Sequence, residues 1–268
     1  MVRPLPWFRT LTLIALCAWW TPTTSFAATS SDLAAAKRLE SDGNYAEALA
    51  AYASLIEQAA LPSDELAQAY RGSLDCYQQL NRWNEIDAFR KPLAEQFAED
   101  WRMLSAIAHS YAMRQHWGYR VAGEFHRGNH RGGGQVINAE ARDRVRALQL
   151  YEKTLELLEK DSDSQSSSAA ADVLREFART VLYLQNYSQS WRLQTLTDLA
   201  ESPDSDDGWN QFYGDIPGAP VTAAGDPVLY DLPSSWDEAT SDGERWRHLL
   251  AKLAQWQPDR KNEVLFLR

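Results

Sequence analysis

The sequence predicts an all-α protein of stacked helical hairpins, and two observations carry that prediction. From Ser31 to about Ala200 apolar residues recur at three-to-four spacing, in stretches of helical length parted by glycines, prolines and polar clusters. Within that region one pattern returns: an amphipathic helix, a short polar turn, then an aromatic residue. Tyr45, Trp83 and Trp117 are those aromatics, 38 and 34 residues apart, and Leu39, Tyr77 and Tyr111 stand six residues ahead of each.

In chain order, residues 1–27 read as a signal peptide. Arg3 and Arg9 precede an apolar run from Leu11 to Trp20, and Ser25-Phe26-Ala27 is a small-x-small cleavage pattern. The run is about 10 residues, against the roughly 20 needed to cross a bilayer, so cleavage is expected and not anchoring. Cleavage removes Cys17 and leaves Cys76 alone, which excludes an intramolecular disulfide. It also takes the formal charge from −10 to −12, a balance that disfavours nucleic acid and anionic lipid as partners. No transmembrane segment is expected after signal removal, and the localisation expected is periplasmic or secreted.

Residues 28–200 are the helical-hairpin domain. The spacing of its aromatics is close to the 34-residue tetratricopeptide period. In the first unit Ala36, Leu39, Gly43, Tyr45, Ala48 and Tyr52 fill the small, large, turn, aromatic, small and aromatic positions of that repeat. Small residues there let the two helices of a hairpin approach closely. The second unit is degenerate, with Ile86 and Arg90 in place of Ala and an aromatic. In the third, a helix from Trp101 to Met113 is followed by an apparently ordinary turn, His116-Trp117-Gly118-Tyr119. An Arg/Gly-rich insertion from about 121 to 137 then delays the partner helix, expected from Asn138 to Lys160 with Asn138 as N-cap. The serine-rich run Asp161–Ser168 reads as a flexible linker, and a fourth pair is expected at about 169–184 and 188–200. Together the units predict a tetratricopeptide-like right-handed α-solenoid.

Residues 201–240 change texture. Their prolines and glycines exclude a long helix, while Trp209, Phe212, Tyr213, Tyr230 and Trp236 argue for an irregular segment lying over the helices. At 241–268, Ser241-Asp242-Gly243-Glu244 is a capping box opening a helix on which Trp246, Leu249, Leu250, Leu253 and Trp256 form a stripe before Pro258. The apolar ending Val264–Leu267 suggests continuation in a longer protein.

The candidate site is the insertion and its flank. Between Arg114 and Arg146 seven arginines face three acids, giving +4, while the rest of the mature chain is −16. Arginine forks bind carboxylates bidentately, so Arg127, Arg131, Arg142 and Arg144, with His126 and His130, are expected to form the polar contact with a partner. Trp209 and Tyr213 are the aromatics best placed outside the helices for recognition. The competing expectation is that the arginines pair with acids of neighbouring helices and the glycines serve a tight turn. Glu124, His126 and His130 do not have zinc-protease spacing, and no Lys-Ser or Lys-Thr follows the glycines as in a nucleotide loop. No cofactor, metal or catalytic residue is expected. Cys76 lies inside an amphipathic helix, where a buried, inert thiol is the default.

The run Gly123-Glu124-Phe125-His126-Arg127-Gly128-Asn129-His130-Arg131-Gly132-Gly133-Gly134, with Asn138 and Arg142–Leu150 after it, resembles the N-terminal helical region of large bacterial alpha-2-macroglobulin-like proteins. The resemblance covers about residues 30–268. It implies an exported envelope protein whose complete form traps or binds proteases through a series of β-sandwich domains. The chain departs from that form: it has no Cys-x-x-Gln thioester motif, no bait region and no run of strands for sandwiches. Protease inhibition is therefore not expected of these residues. What is expected is a protein–protein interaction module, not an enzyme, whose partner is another protein or the other domains of a longer chain. The alternatives are a periplasmic tetratricopeptide scaffold for cell-envelope machinery, resembling the helical superstructures of lytic transglycosylases, and a metal-dependent envelope hydrolase using Glu124 and the two histidines.

Overall fold

The computed structural model describes residues 29–182, 195–200, 206–207, 223–226, 231–262 and 264. The signal-peptide expectation, Trp209 and Tyr213 lie outside them.

The described residues are mostly helical. Helices α1 (Ser30–Ser41), α2 (Tyr45–Gln58), α3 (Ser63–Gln79), α4 (Ile86–Gln96) and α5 (Trp101–Met113) follow one another with short turns. Asp100 starts α5 by accepting the Arg102 and Met103 amides at 3.0 and 3.1 Å. Helix α1 packs on α2, α2 on α3, and α3 on α5. The small residues act as their spacing requires: Ala36 and Ala48 are fully buried. A methyl at Gly72 of α3 would stand 2.5 Å from the Tyr52 ring of α2, so glycine sets that helix separation. Tyr52 anchors its own hairpin by donating to Glu40 at 2.6 Å.

The second unit departs from a plain hairpin. Trp83 opens a 3₁₀ turn, Trp83–Glu85, and α4 starts only at Ile86. Cys76 is a free, buried thiol, pushed up to about 11 first by burial and then by Glu40 and Asp75.

The largest difference from expectation falls after α5. His116–Tyr119 is not a turn, and the insertion carries strands. Strands β1 (Trp117–Val121), β2 (Glu124–Arg127) and β3 (Gln135–Asn138) form an antiparallel sheet, to which a two-residue strand β4 (Asp206–Asp207) is added in the order β2-β1-β3-β4. Helix α6 (Glu140–Lys160) leaves the sheet directly, two residues later than expected, and the Asn138 side chain accepts the Glu140 amide at 3.0 Å. The serine run is a correction too: Ser162–Gln165 forms the short helix α7, because the Asp161 carboxylate accepts the Ser164 amide at 3.2 Å. Helix α8 (Ser168–Leu182) follows, whereas 195–200, expected to close a fourth hairpin, carries no helix.

Helix α9 (Asp242–Trp256) packs on α8 and stops ahead of Pro258. Its cap is half the expected box. Ser241 accepts the Glu244 amide at 3.2 Å, but Glu244 reaches the Thr240 amide at 2.6 Å. Within the segment 201–240, the described residues 231–240 carry no helix or strand. Trp236 is buried there, 4.6 Å from the Phe177 ring, and donates to Glu152 at 2.7 Å. A large buried cluster runs from Leu33 to Val264, and a smaller one gathers Trp101, Leu158 and Ala170. No helix among the described residues is long and apolar enough to cross a membrane.

Candidate functional site: a sheet clamped by a buried arginine

The sheet begins with a two-residue turn. Ala122 and Gly123 both have positive φ (50° and 87°), the geometry that lets β1 and β2 close with their natural twist. The register pairs Val121 with Glu124, Tyr119 with His126 and Gly118 with Arg127. Strand alternation then sorts the side chains. Trp117, Tyr119, Val121 and His126 share one face, and Gly118, Arg120, Phe125 and Arg127 the other. Gly118 is required here: a Cβ would sit 2.2 Å from the His126 carbonyl oxygen and 2.8 Å from the Phe125 ring.

The inner face is held by charge. Arg127 is 1 % exposed. Its Nη1 and Nη2 donate to Asp143 of α6 at 2.6 and 3.0 Å, and its Nε and Nη2 to Asp87 of α4 at 3.2 and 3.0 Å. Nη1 also bonds the Gln115 carbonyl. Around this pair of forks stand Arg90, fully buried and 3.7 Å from Asp143, His116, whose Nδ1 is 3.0 Å from Asp143, and Arg142, 3.1 Å from Asp143. Arg90 donates to Asp87 at 2.6 Å and to the Ser110 carbonyl at 3.2 Å, and its guanidinium lies 3.4 Å from the centre of the Tyr111 ring. Phe125 is covered by the Arg142 guanidinium at 4.6 Å.

Burial would raise the carboxyl of Asp143. The His116 hydrogen bond and the charge and bonds of Arg127, aided by Arg90, outweigh it and hold the group well below the usual carboxylate range. Asp87 is lowered the same way, with burial opposed by Arg127 and Arg90. Arg127 is held above its ordinary value by the two carboxylates against the effect of burial. An ion pair this deep adds little net stability over apolar packing, but removing one partner would leave an uncompensated buried charge. It therefore fixes the sheet against α4 and α6.

The outer face is different. Trp117 is 39 % exposed. The rings form a chain: Trp117 meets Tyr119 edge-on at 6.3 Å, Tyr119 lies 6.1 Å from His130, and His130 stacks on His126 at 5.7 Å. Arg131 is exposed beside them. Gly128, with φ +80°, closes the edge by packing on Trp83, where a Cβ would be 2.5 Å from the tryptophan Cβ.

The expected site residues therefore divide. His126, His130 and Arg131 lie together on or beside the outer face. Arg127 is a correction, since its guanidinium is buried and spent on Asp87 and Asp143 and cannot touch a partner. Arg142 belongs largely to the same cluster. Arg144 points elsewhere, donating to the Thr180 and Val181 carbonyls at 3.1 and 2.8 Å, to Thr197 at 2.8 Å and to Asp242 at 3.1 Å, so it ties the end of α8 to the start of α9. Asp87, Asp143, Trp117 and Tyr119 were missed as site residues. The available signal was the alternation Trp117-x-Tyr119-x-Val121 and Glu124-x-His126 around Ala122-Gly123, a hairpin pattern.

Among the described residues no three His, Cys, Asp or Glu side chains gather as metal ligands would. These residues define a mostly helical protein bearing a clamped sheet with an aromatic–imidazole outer face. No protein-family model, no curated protein and no solved structure matches the chain.

Proposed function

We propose that this chain is an exported protein–protein interaction module of tetratricopeptide-like helical hairpins, and that the outer face of its sheet is the contact surface. The observation that supports this reading most is the pairing of the two faces. A buried arginine clamp holds the sheet, while a continuous run of rings leads from exposed Trp117 through half-buried Tyr119, His130 and His126, with Arg131 exposed next to His130 in the chain. Rigidly held aromatic rings and arginine are what protein interfaces concentrate, because they bind with little loss of conformational freedom. The helix order supports the hairpin reading, since α1 contacts α3 and α3 contacts α5, as the first helices of successive units would.

The family reading stays with the same residues. The run Gly123–Gly134 and the helix after it support an origin at the front of an alpha-2-macroglobulin-like envelope protein, with the partner being that protein's own later domains or a neighbour in the envelope. The signal-like residues 1–27 support a periplasmic or secreted location.

The test is a photo-reactive residue placed at Trp117 in cells, with one at the exposed Lys91 of α4 as control. A discrete cross-linked protein from position 117 alone, lost in the His130→Ala, Arg131→Glu double variant, is the expected outcome. Equal products from both positions, or none, would remove the outer face as an interface.

A further inference from the structure

A second place in the molecule holds polar groups that its own chain leaves unanswered. Between α3, α5 and α8 lies a cleft of about 230 Å³, lined by Arg71 of α3, Ser105 and His109 of α5, Asp172 and Glu176 of α8, and Tyr151 of α6. Tyr151 is 1 % exposed, and its hydroxyl has no hydrogen-bond partner among the described residues. Leaving a buried hydroxyl unpaired costs about 1–3 kcal/mol, which an incoming ligand group would recover. The Arg71 guanidinium, at an exposed position, makes no hydrogen bond or ion pair among the described residues, and Asp64 and Asp75 act on it through charge alone.

The remaining charges of the cleft are already matched. Asp172 pairs with Arg175 on its own helix, and Glu176 with Arg179 at 3.1 Å. Burial holds the His109 imidazole below its ordinary value, outweighing Glu176 at 3.8 Å, so it is neutral at pH 7 and adds no cation. Arg71 can only donate, and the unpaired Tyr151 hydroxyl is free to donate as well. They call for an acceptor with negative charge, and the two carboxylates on the α8 lip disfavour a dianion such as phosphate. We propose that this cleft is a carboxylate-binding site in which the Arg71 guanidinium and the Tyr151 hydroxyl hold the anion. The site is separate from the outer sheet face, and its test stands whether or not that face binds a partner.

The carboxylate has three possible sources, a small free acid, a chain terminus or an acidic side chain, and thermal melting of the whole protein distinguishes them. A ligand bound to the folded state raises the melting temperature with its concentration. The probes are acetate, an N-acetylated tetrapeptide of alanines with a free C-terminus, and the amidated tetrapeptide carrying one internal glutamate, each against equal ionic strength of chloride. A saturable rise beyond chloride with any one of them is expected and assigns the source. Arg71→Gln, at an exposed position that leaves the fold intact, should weaken that binding by about tenfold or more, the loss of one charge-assisted hydrogen bond. Tyr151→Phe should weaken it severalfold while leaving the unliganded melting temperature unchanged or raised, because the deleted hydroxyl was unpaired. No rise beyond chloride with any of the three probes, or an undiminished rise in Arg71→Gln, would overturn the assignment.

Discussion

Helices α1–α3 and the sheet between α5 and α6 solve the same packing problem with opposite chemistry. In the helical hairpins the contacts are apolar and small: Ala36, Ala48 and Gly72 let neighbours approach, and Leu49, Leu55, Ile56 and Leu74 fill the space. Such packing is forgiving, because dispersion and burial act over many atoms without demanding one orientation. The sheet instead meets the helices through Arg127, Asp87, Asp143 and Arg90, where a few directional bonds decide everything. The lesson is that the hairpins are held by shape and the insert by charge. Perturbations of charge should therefore separate the two regions.

The sharpest separation is expected from Arg127→Met. It leaves Asp143 buried with a reduced complement of cations and should cost about 3–5 kcal/mol in urea unfolding, whereas Arg131→Met on the exposed side should change stability by no more than about 0.5 kcal/mol. Equal effects would erase the distinction between the two faces of the sheet. Acid attacks the same clamp from the other partner, with an effect no larger than that of the substitution. Asp143 and Asp87 titrate below their unfolded values, so their contribution is fully present above the unfolded carboxylate pKa near 3.9 and is lost as pH falls through and below it. The difference in tryptophan emission between the protein and its Trp117→Phe variant should then change below about pH 4, while far-ultraviolet helicity persists to lower pH. Simultaneous loss of both would mean that the hairpins depend on the clamp as well. The smallest effect is expected at the hairpin turn. Ala122 sits at φ 50°, so Ala122→Asn, which makes an Asn-Gly turn, should stabilise the protein by about 0.5–1 kcal/mol in the same unfolding assay.

How much of this was legible follows from the range of the interactions. Helices α1–α3, α5 and α9 could be read because three-to-four spacing, small residues and caps such as Ser241 are local facts. The start of α6 was displaced by two residues for a local reason as well, since Asn138 caps from within β3. The sheet was not legible because the arginines and glycines of 121–137 leave only a brief alternation on either side of Ala122-Gly123. That alternation is short, and β1 completes its pairing only with β3, which lies across the His130–Gly134 loop.

The amino-acid order alone determined that most of this chain would be helical, because helical hydrogen bonds and the stripe that buries a helix are both set within a few residues. It also marked out the stretch from Arg114 to Arg146 as chemically unlike the rest. Only the tertiary structure decided which arginine is a strut and which is a surface. Arg127 and Arg131 are four residues apart in the same glycine-rich run. One meets two aspartates brought from 40 residues earlier and 16 later, and the other meets solvent. Whether a guanidinium is spent inside or left for a partner depends on what the folded chain sets opposite it, and no local pattern encodes that.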